Sequence, residues 1–435
     1  MKEKRLLNRN FLLLFQGQVV SVMGSSAYSI ALLFWMKQAT DSPSLMGLLA
    51  MVGLLPTLIL GPFGGALADH FSRKKIIVFC DLISGAVVCC TALLIFSFPD
   101  RLDLIVPVLF IGAVVNGITM SVFRPAVSAF IPDLVPLHRL AMANGLIQNA
   151  FMIVAMLGQA LGGVLYRVLG APLLMLIDGF SYLLSALSES FIQEPRKIVS
   201  HDIAWKDLLR KLKLDTIEGI HFVNQKPGMK SLLIFSALVG FFWAPMSVML
   251  PFFVEDTLGV AVDWFGYIMA GEALGMFCGG MIGGFLPIKA AARSQLVLIG
   301  LSAASLLFIS FGYSSTPLIA VGIQFFIGVF LGVFGVLLML VLQLGTPANF
   351  RGRVFGLMAT ITGALAPISL GLSGVFIEWL DRDMPLIFAI CGGSVLICVP
   401  IIALDRGFHQ LMATEAVEPE RPDSPERDSI YGVDD

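Results

Sequence analysis

Glu272 stands inside an apolar run, 263–287, flanked by Gly271, Ala273 and Gly275. Nine residues into that run is about 14 Å at 1.5 Å per residue, near the middle of a hydrocarbon layer. A carboxyl at that depth is costly and needs a partner, a proton or a task. Two tasks suit it. It can exchange a proton with each side in turn, or it can sit neutral in a hydrogen bond to a neighbouring helix. Asp178 lies about 9 Å into the run 172–193, where a structural hydrogen bond is favoured over proton carriage. Asp81, near the end of another run, has the same structural reading.

A second group is basic. The segment Gly65-Ala66-Leu67-Ala68-Asp69-His70-Phe71-Ser72-Arg73-Lys74-Lys75 puts an acid at a helix end and a cation cluster one tight turn later. Asp69 there can pair with a base, or with a helix N-terminus from elsewhere in the chain, and so latch one conformation. Charge asymmetry across a membrane accounts for the bases alone but does not require the Gly-x-Leu-x-Asp ahead of them. The turn Arg351-Gly352-Arg353 is a second cationic point of the same kind.

Side chains of this sort need helices in lipid to position them. The chain has 435 residues, of which 57% are hydrophobic and only 13% charged. Its mean hydropathy is +0.89. A water-soluble protein this apolar could not cover its surface with polar groups, so lipid must cover it. A crossing needs about 20 apolar residues. Twelve runs meet this: 10–37, 44–68, 75–98, 104–130, 141–167, 172–193, 230–254, 263–287, 294–312, 317–344, 354–380 and 385–404. The fold expected is all-α and membrane-spanning, with bundles at 1–193 and 230–404. The segment 194–229 reads as a linker with one amphipathic helix, carrying Trp205, Leu208, Leu209, Leu212, Ile217 and Ile220 among charges. Residues 405–435 read as a disordered acidic tail. Lys37, Arg101, Arg167 and Arg382 fall on one side of the bilayer. Every other lysine and arginine except Arg124, which lies within a run, falls on the other. The positive-inside rule then places both termini in the cytoplasm.

The same composition excludes much. A net charge of −2 offers no field for nucleic acid. The six cysteines lie in apolar runs without metal-ligand spacing. No phosphate loop, nucleophile elbow or histidine cluster is present, so no enzyme activity, metal or cofactor is expected. A sensor or scaffold in the membrane remains the alternative of another class.

The halves echo each other. Gly61-Pro62-Phe63-Gly64-Gly65 answers Gly279-Gly280-Met281-Ile282-Gly283-Gly284, and Pro136…Gly145 answers Pro347…Gly356. Two parallel repeats in one chain suit alternating access. The segment 65–75 resembles the G-x-L-a-D-r-x-G-r-k motif of the major facilitator superfamily, with His70 and Ser72 departing from it. Gly145, Gly158, Gly162 and Gly163 resemble that family's antiporter motif, with Val154 for a glycine and Gln159 for the proline. Pro367, Gly371 and Gly374 make a partial counterpart in the other half. With Phe15-Gln16-Gly17-Gln18, Arg124-Pro125 and Ile177-Asp178-Gly179, the chain is similar to the twelve-span bacterial drug and siderophore exporters of that family.

The resemblance implies two pseudo-symmetric six-helix bundles, with runs one, four, seven and ten around a cavity. Gln18, Tyr28, Asn116, Trp243, Met246 and Gln324 are then the substrate-cavity candidates, an apolar lining with few polar anchors that suits an amphipathic molecule. Asn116 stands where such relatives often carry arginine. The expected activity is proton-coupled export in a bacterial inner membrane by a monomer. Uptake or lipid flipping is the alternative within the fold. Glu272 and Asp178 are the proton-coupling candidates. Gly65, Asp69, Arg73, Lys74, Arg351 and Arg353 are the candidate cytoplasmic gate.

Overall fold

The computed structural model describes residues 6–193, 205–347 and 350–415, without the side chains of Pro62, Asp69 and residues 205–209, 211–213 and 215. Among the described residues the chain is helical throughout, with no strand. The elements are α1 (Arg9–Thr40), α2 (Pro43–His70), α3 (Arg73–Ser97), α4 (Leu102–Leu134), α5 (Leu140–Ser190), α6 (Trp205–Gln225), α7 (Met229–Trp243), α8 (Met246–Phe252), α9 (Asp263–Phe285), α10 (Ala290–Gly312), α11 (Pro317–Gly345), α12 (Arg351–Trp379), α13 (Met384–Ala403) and α14 (Arg406–Met412). Among the described residues, eleven segments are long and apolar enough to cross a bilayer.

One of the eleven is two. At 51 residues, α5 would run for about 77 Å, more than twice the hydrocarbon thickness. Gly170 breaks it, with φ 74° and ψ 168°. The contacts on α1 then run in opposite senses. Gly158 meets Ser26, Gly162 meets Ile30, and the Tyr166 hydroxyl bonds Gln38, rising along α1. Past Gly170 the order falls, from Asp178 on Ser25 to Ser185 at Gly17, Ser188 on Gln16 and Gln193 on Asn10. The chain therefore reverses at Gly170, and α5 makes two crossings, giving twelve among the described residues.

The other crossings are set by ordinary end chemistry. Ser42 and Ser72 cap α2 and α3 by accepting from the Leu45 and Lys75 N–H groups. Ser72 therefore has a job where the resembling motif carries glycine. Pro245 has no N–H for the Phe241 carbonyl one turn back, so the chain breaks between α7 and α8. The Ser369 hydroxyl of α12 donates to that carbonyl instead. A π-helical turn, Phe253–Thr257, follows α8 and completes this crossing.

Two differences from the sequence reading concern the ends of the second bundle. Within the stretch read as a disordered tail, α14 is ordered. Its Phe408, Leu411 and Met412 lie on one helical face and are buried in the second half's core, beside Met229 and Val341. Residues 416–435 lie outside the described residues. In the linker, α6 turns Gly219 and Val223 inward, stacks Phe222 on Phe350 at 4.9 Å, and leaves Leu214, Ile217 and Ile220 exposed. It thus packs on the start of α12 and still keeps an apolar outer face, as an interfacial helix does.

Asp405 caps α14. The Ser231 hydroxyl, and then the N–H groups of Gly407 and Phe408, hold its carboxyl below the usual aspartate range. Its contribution to docking α14 is present above the ordinary aspartate pKa and fades as pH falls through the lowered one. Gly170→Ala should lower stability by about 1 kcal/mol, because only the positive φ opposes it: the nearest foreign atom to a new Cβ is Pro172 Cδ at 3.8 Å. Thermal unfolding in detergent checks this. An unchanged midpoint would mean that the break can form without glycine.

Candidate functional site

The ends of the bundle can be told apart by which turns they hold. Call the near end the one with the start of α1, the α2–α3 turn and the start of α12. The far end holds the turns after α1, at Gly170, before α9 and after α12.

At the far end the halves touch backbone to backbone. A Cβ on Gly47 would sit 2.5 Å from the Leu370 carbonyl, and one on Gly374 would strike the Pro43 carbonyl. The second contact pair mirrors the first. A Cβ on Gly163 would sit 2.7 Å from the Val262 carbonyl, and one on Gly266 would sit 2.7 Å and 2.8 Å from the carbonyls of Gln159 and Ala160. Only glycine permits these approaches, in the manner of small-residue contacts between membrane helices. The near end is the reverse. A Cβ on Gly61, Gly65, Gly145, Gly352 or Gly356 would meet nothing within 4 Å. The structure is closed at the far end and open at the near end.

The four antiporter-like glycines consequently do different things. Gly158 and Gly162 seat α5 on α1, Gly163 joins the two halves, and Gly145 faces open space.

Charge reinforces the far-end closure. Lys37, with its side chain only 6% exposed, donates to Glu255 at 2.7 Å and Asp256 at 2.6 Å across the halves. Its ammonium also lies 5.1 Å from the centre of the Phe252 ring. Arg382 pairs with Asp41, and Arg167 with Asp263, each at 3.0 Å. Glu378 accepts from the hydroxyls of Ser42 and Ser44 and from the Ser44 N–H. Three of the four basic residues on the charge-poor side thus bind the halves together. Sequence reasoning assigned them to loops. The signal available was their very presence on the side that the charge bias leaves nearly empty.

Within the second half, three candidates that the sequence left separate converge. Trp243 Nε1 donates to Glu272 Oε1 at 3.0 Å, and Gln324 Nε2 donates to Glu272 Oε2 at 2.8 Å. The packing beneath explains how. Gly271 and Gly275 of α9 fit against Val321 and Phe325 of α11, and Gly328 and Gly332 fit against the carbonyls of Glu272 and Met276. This glycine seam brings the two backbones close enough for Gln324 to reach Glu272. The break before Pro245 leaves Trp243 at the end of α7, its ring tilted by 32° against Phe308 with centroids 4.5 Å apart. Gln324 is fully buried, and its Oε1 has no partner. Such a carboxyl can accept or release a proton against fixed donors.

The other candidates are placed as follows. Met246 is buried in the same core as Trp243. Asn116 is half-buried, with an unpartnered Oδ1. Gln18 is buried and bonds Glu189, and Asp178 is buried against Ser25 and Ser181, with Tyr28 nearby on α1. Arg73 donates to Asp133 at 2.6 Å and to the Ala129 carbonyl, tying the α2–α3 turn to the end of α4. Arg353 pairs with Glu218 of α6 at 3.0 Å, and Arg351 reaches back to the Thr346 carbonyl. Lys74 lines a surface groove of about 720 Å³ with His70, Lys75 and Phe79. The Asp69 side chain lies outside the described residues. No group of three or more metal-ligating side chains is found among the described residues.

Comparison with known proteins follows from this geometry. Residues 14–370 match the family described as the Major Facilitator Superfamily. Macrolide efflux protein A of Streptococcus pyogenes is 24% identical over 404 residues, covering 90% of this chain and 94% of that one. Multidrug efflux pump Tap of Mycolicibacterium fortuitum is 23% identical over 374 residues, covering 83% and 88%. Among solved structures, a bacterial homologue of the iron transporter ferroportin in an inward-facing state superposes with a TM-score of 0.71 at 15% identity, covering 92% and 99%.

Lys37→Met should weaken the far-end closure by about 3 kcal/mol, since it leaves two carboxylates facing each other without a cation. Spin labels at Thr40 and Asp383 should then report a wider distance distribution. An unaltered distribution would show that the glycine contacts hold the far end unaided.

Proposed function

The chain belongs to the major facilitator superfamily, and we propose that it is a proton-coupled exporter of amphipathic small molecules working by alternating access. The observation that carries this reading is the carboxyl of Glu272, held in mid-membrane by Trp243 and Gln324. A protonatable group with two fixed donors, beside an opening between two hinged halves, is what coupling one proton to one change of access requires. The positive-inside rule puts the near end in the cytoplasm, so the state described is inward-open. Both termini then lie on the cytoplasmic side of a bacterial inner membrane. Two relatives named for macrolide and multidrug efflux support export, and the apolar surroundings of Trp243, Met246 and Phe308 support an amphipathic cargo.

In this scheme the closed far end must open and the near end must shut. Asp69, with the basic turn Arg73–Lys74 and the turn Arg351–Arg353, makes the near-end gate. The gate closes when α2 and α12 approach at that end as they now do at the other. Substrate and proton compete for the same half-buried site, so proton entry from outside expels cargo.

Val154 and Gln159, in place of the glycine and proline of the antiporter motif, favour a second reading in which the same fold imports or flips a lipid. Direction separates the two. In inverted vesicles with an imposed pH gradient, export appears as accumulation of a macrolide such as erythromycin. Glu272→Gln should abolish that accumulation, at least tenfold below wild type, while the purified variant still binds the macrolide. Full accumulation by the variant would remove Glu272 from the coupling.

A further inference from the structure

A polar seam runs between α1 and the second limb of α5, in the other half from Glu272. It begins at the near end, where exposed Gln16 donates to the Ser188 hydroxyl at 2.9 Å. Two residues further along α1, Gln18 Nε2 donates to Glu189 Oε1 at 2.9 Å. The Asp81 carboxyl of α3 stands beside Glu189 and Ser185. Further in, Ser25 bonds both the Tyr182 hydroxyl at 2.9 Å and Asp178 at 3.2 Å. Asp81, Glu189, Ser185 and Asp178 are each 1% exposed. Glu189 and Asp178 are about 16 Å apart along the helix.

Two features distinguish this seam from ordinary packing. First, its carboxyls have no cation: among the described residues no ion pair reaches Asp81, Glu189 or Asp178. The titratable groups facing them are Cys80 on α3 beside Asp81, Cys89 on α3 near Asp178, Tyr28 on α1, and Tyr182 on α5. On α4, the group that reaches α3 here is the neutral hydroxyl of Thr119, against Ser84. Second, four buried oxygens without a hydrogen-bond partner line it: Asp81 Oδ2, Ser185 Oγ, Glu189 Oε2 and Asp178 Oδ2. Buried polar atoms in folded proteins are almost always partnered, and two carboxyls side by side can partner each other only through a hydrogen that one of them carries. Two adjacent carboxyls in a dry site resist being negative together, because each charge raises the cost of the other. The smallest ligand that satisfies both is a proton, with Ser185 as donor or acceptor next to it.

We propose that Asp81 and Glu189 hold one proton between them, exchanged with the near end along the α1–α5 seam, as a protonation site of the first half separate from Glu272. With the proton bound, one carboxyl donates to the other and the pair carries a single negative charge. When the proton leaves toward Gln16 and Ser188, two negative charges face each other between α3 and α5. The repulsion acts between the near-end half of α3 and the near-end part of the second limb of α5, the limb that packs on α1. Coupling by this pair rests on the proton-driven reading above; the shared proton itself does not.

The test is infrared difference spectroscopy of the purified chain in nanodiscs, stepped in pH. Wild type should show a titrating carbonyl band of a protonated carboxyl. Asp81→Asn and Glu189→Gln should each move the pH at which it titrates, because each removes the coupled partner. The double variant should lose the band, and Glu272→Gln should leave it. Single variants that titrate as wild type, or a double variant that keeps the band, would overturn the proposal. If the double variant does not fold, the two conservative single variants carry the test. A seam band with macrolide efflux indifferent to the pH gradient would sink the coupling by Glu272 and spare the shared proton. Gradient-driven efflux without a seam band would do the opposite.

Discussion

The joining of the two halves at one end alone is the constraint on which the rest of the structure depends. Between helices in lipid no hydrophobic drive remains, so contact must come from close backbone approach and from polar pairs. Both are concentrated at the far end. Gly47, Gly374, Gly163 and Gly266 bring α2 against α12 and α5 against α9, and Lys37, Arg167 and Arg382 add charge to the same region. At the near end a Cβ on Gly61, Gly65, Gly145, Gly352 or Gly356 would meet nothing within 4 Å. A joint of this kind lets two bundles move as bodies without disturbing the separate cores that bury Phe11, Phe123 and Phe130 in the first half and Leu232, Leu337 and Val341 in the second.

The two halves share a backbone plan but not a charge plan. Aligning Gly64-Gly65 with Gly283-Gly284 sets Glu272 against Gly53, so the midplane carboxyl belongs to the second half alone. Gly53 packs loosely on Ala113, at 3.7 Å, where Glu272 reaches Gln324. The first half keeps its buried acids elsewhere, on α3 and the second limb of α5. A pseudo-symmetric frame with unsymmetric ionisable groups allows each half to answer a different event while both share one joint.

Hydropathy made most of the frame legible. The twelve runs, the amphipathic linker helix and the glycine echoes all follow from composition in windows of twenty residues or fewer. What escaped needed partners far along the chain. Lys37 is counted as a loop charge until Glu255 and Asp256, more than two hundred residues later, are seen against it. Glu189 sits among serines at a run's end and reads as an interfacial acid. Its burial beside Gln18 and Asp81 depends on the reversal at Gly170, which folds the second limb of α5 back along α1. Glu272 was visible because apolar neighbours isolate it, but its two donors were not, since Trp243 and Gln324 come from different helices. Helix α14 was masked by an acidic tail whose first turns carry Phe408, Leu411 and Met412 on one face.

The basic residues on the charge-poor side carry a further implication. The asymmetry that orients the chain works against every lysine or arginine placed there, so each has to be offset by something local. Lys37 is offset by two carboxylates and an aromatic face, and its partners remain reachable by water, with side-chain exposures of 23% and 44%. A fully dry clasp would cost several kcal/mol to open, and a fully wet one would hold almost nothing. The pair is between these limits: the cation is dry and its acids are half wet. That is the range in which a joint can stay shut in one state and still yield to a shift of a few kcal/mol, the scale on which a ligand or a proton acts.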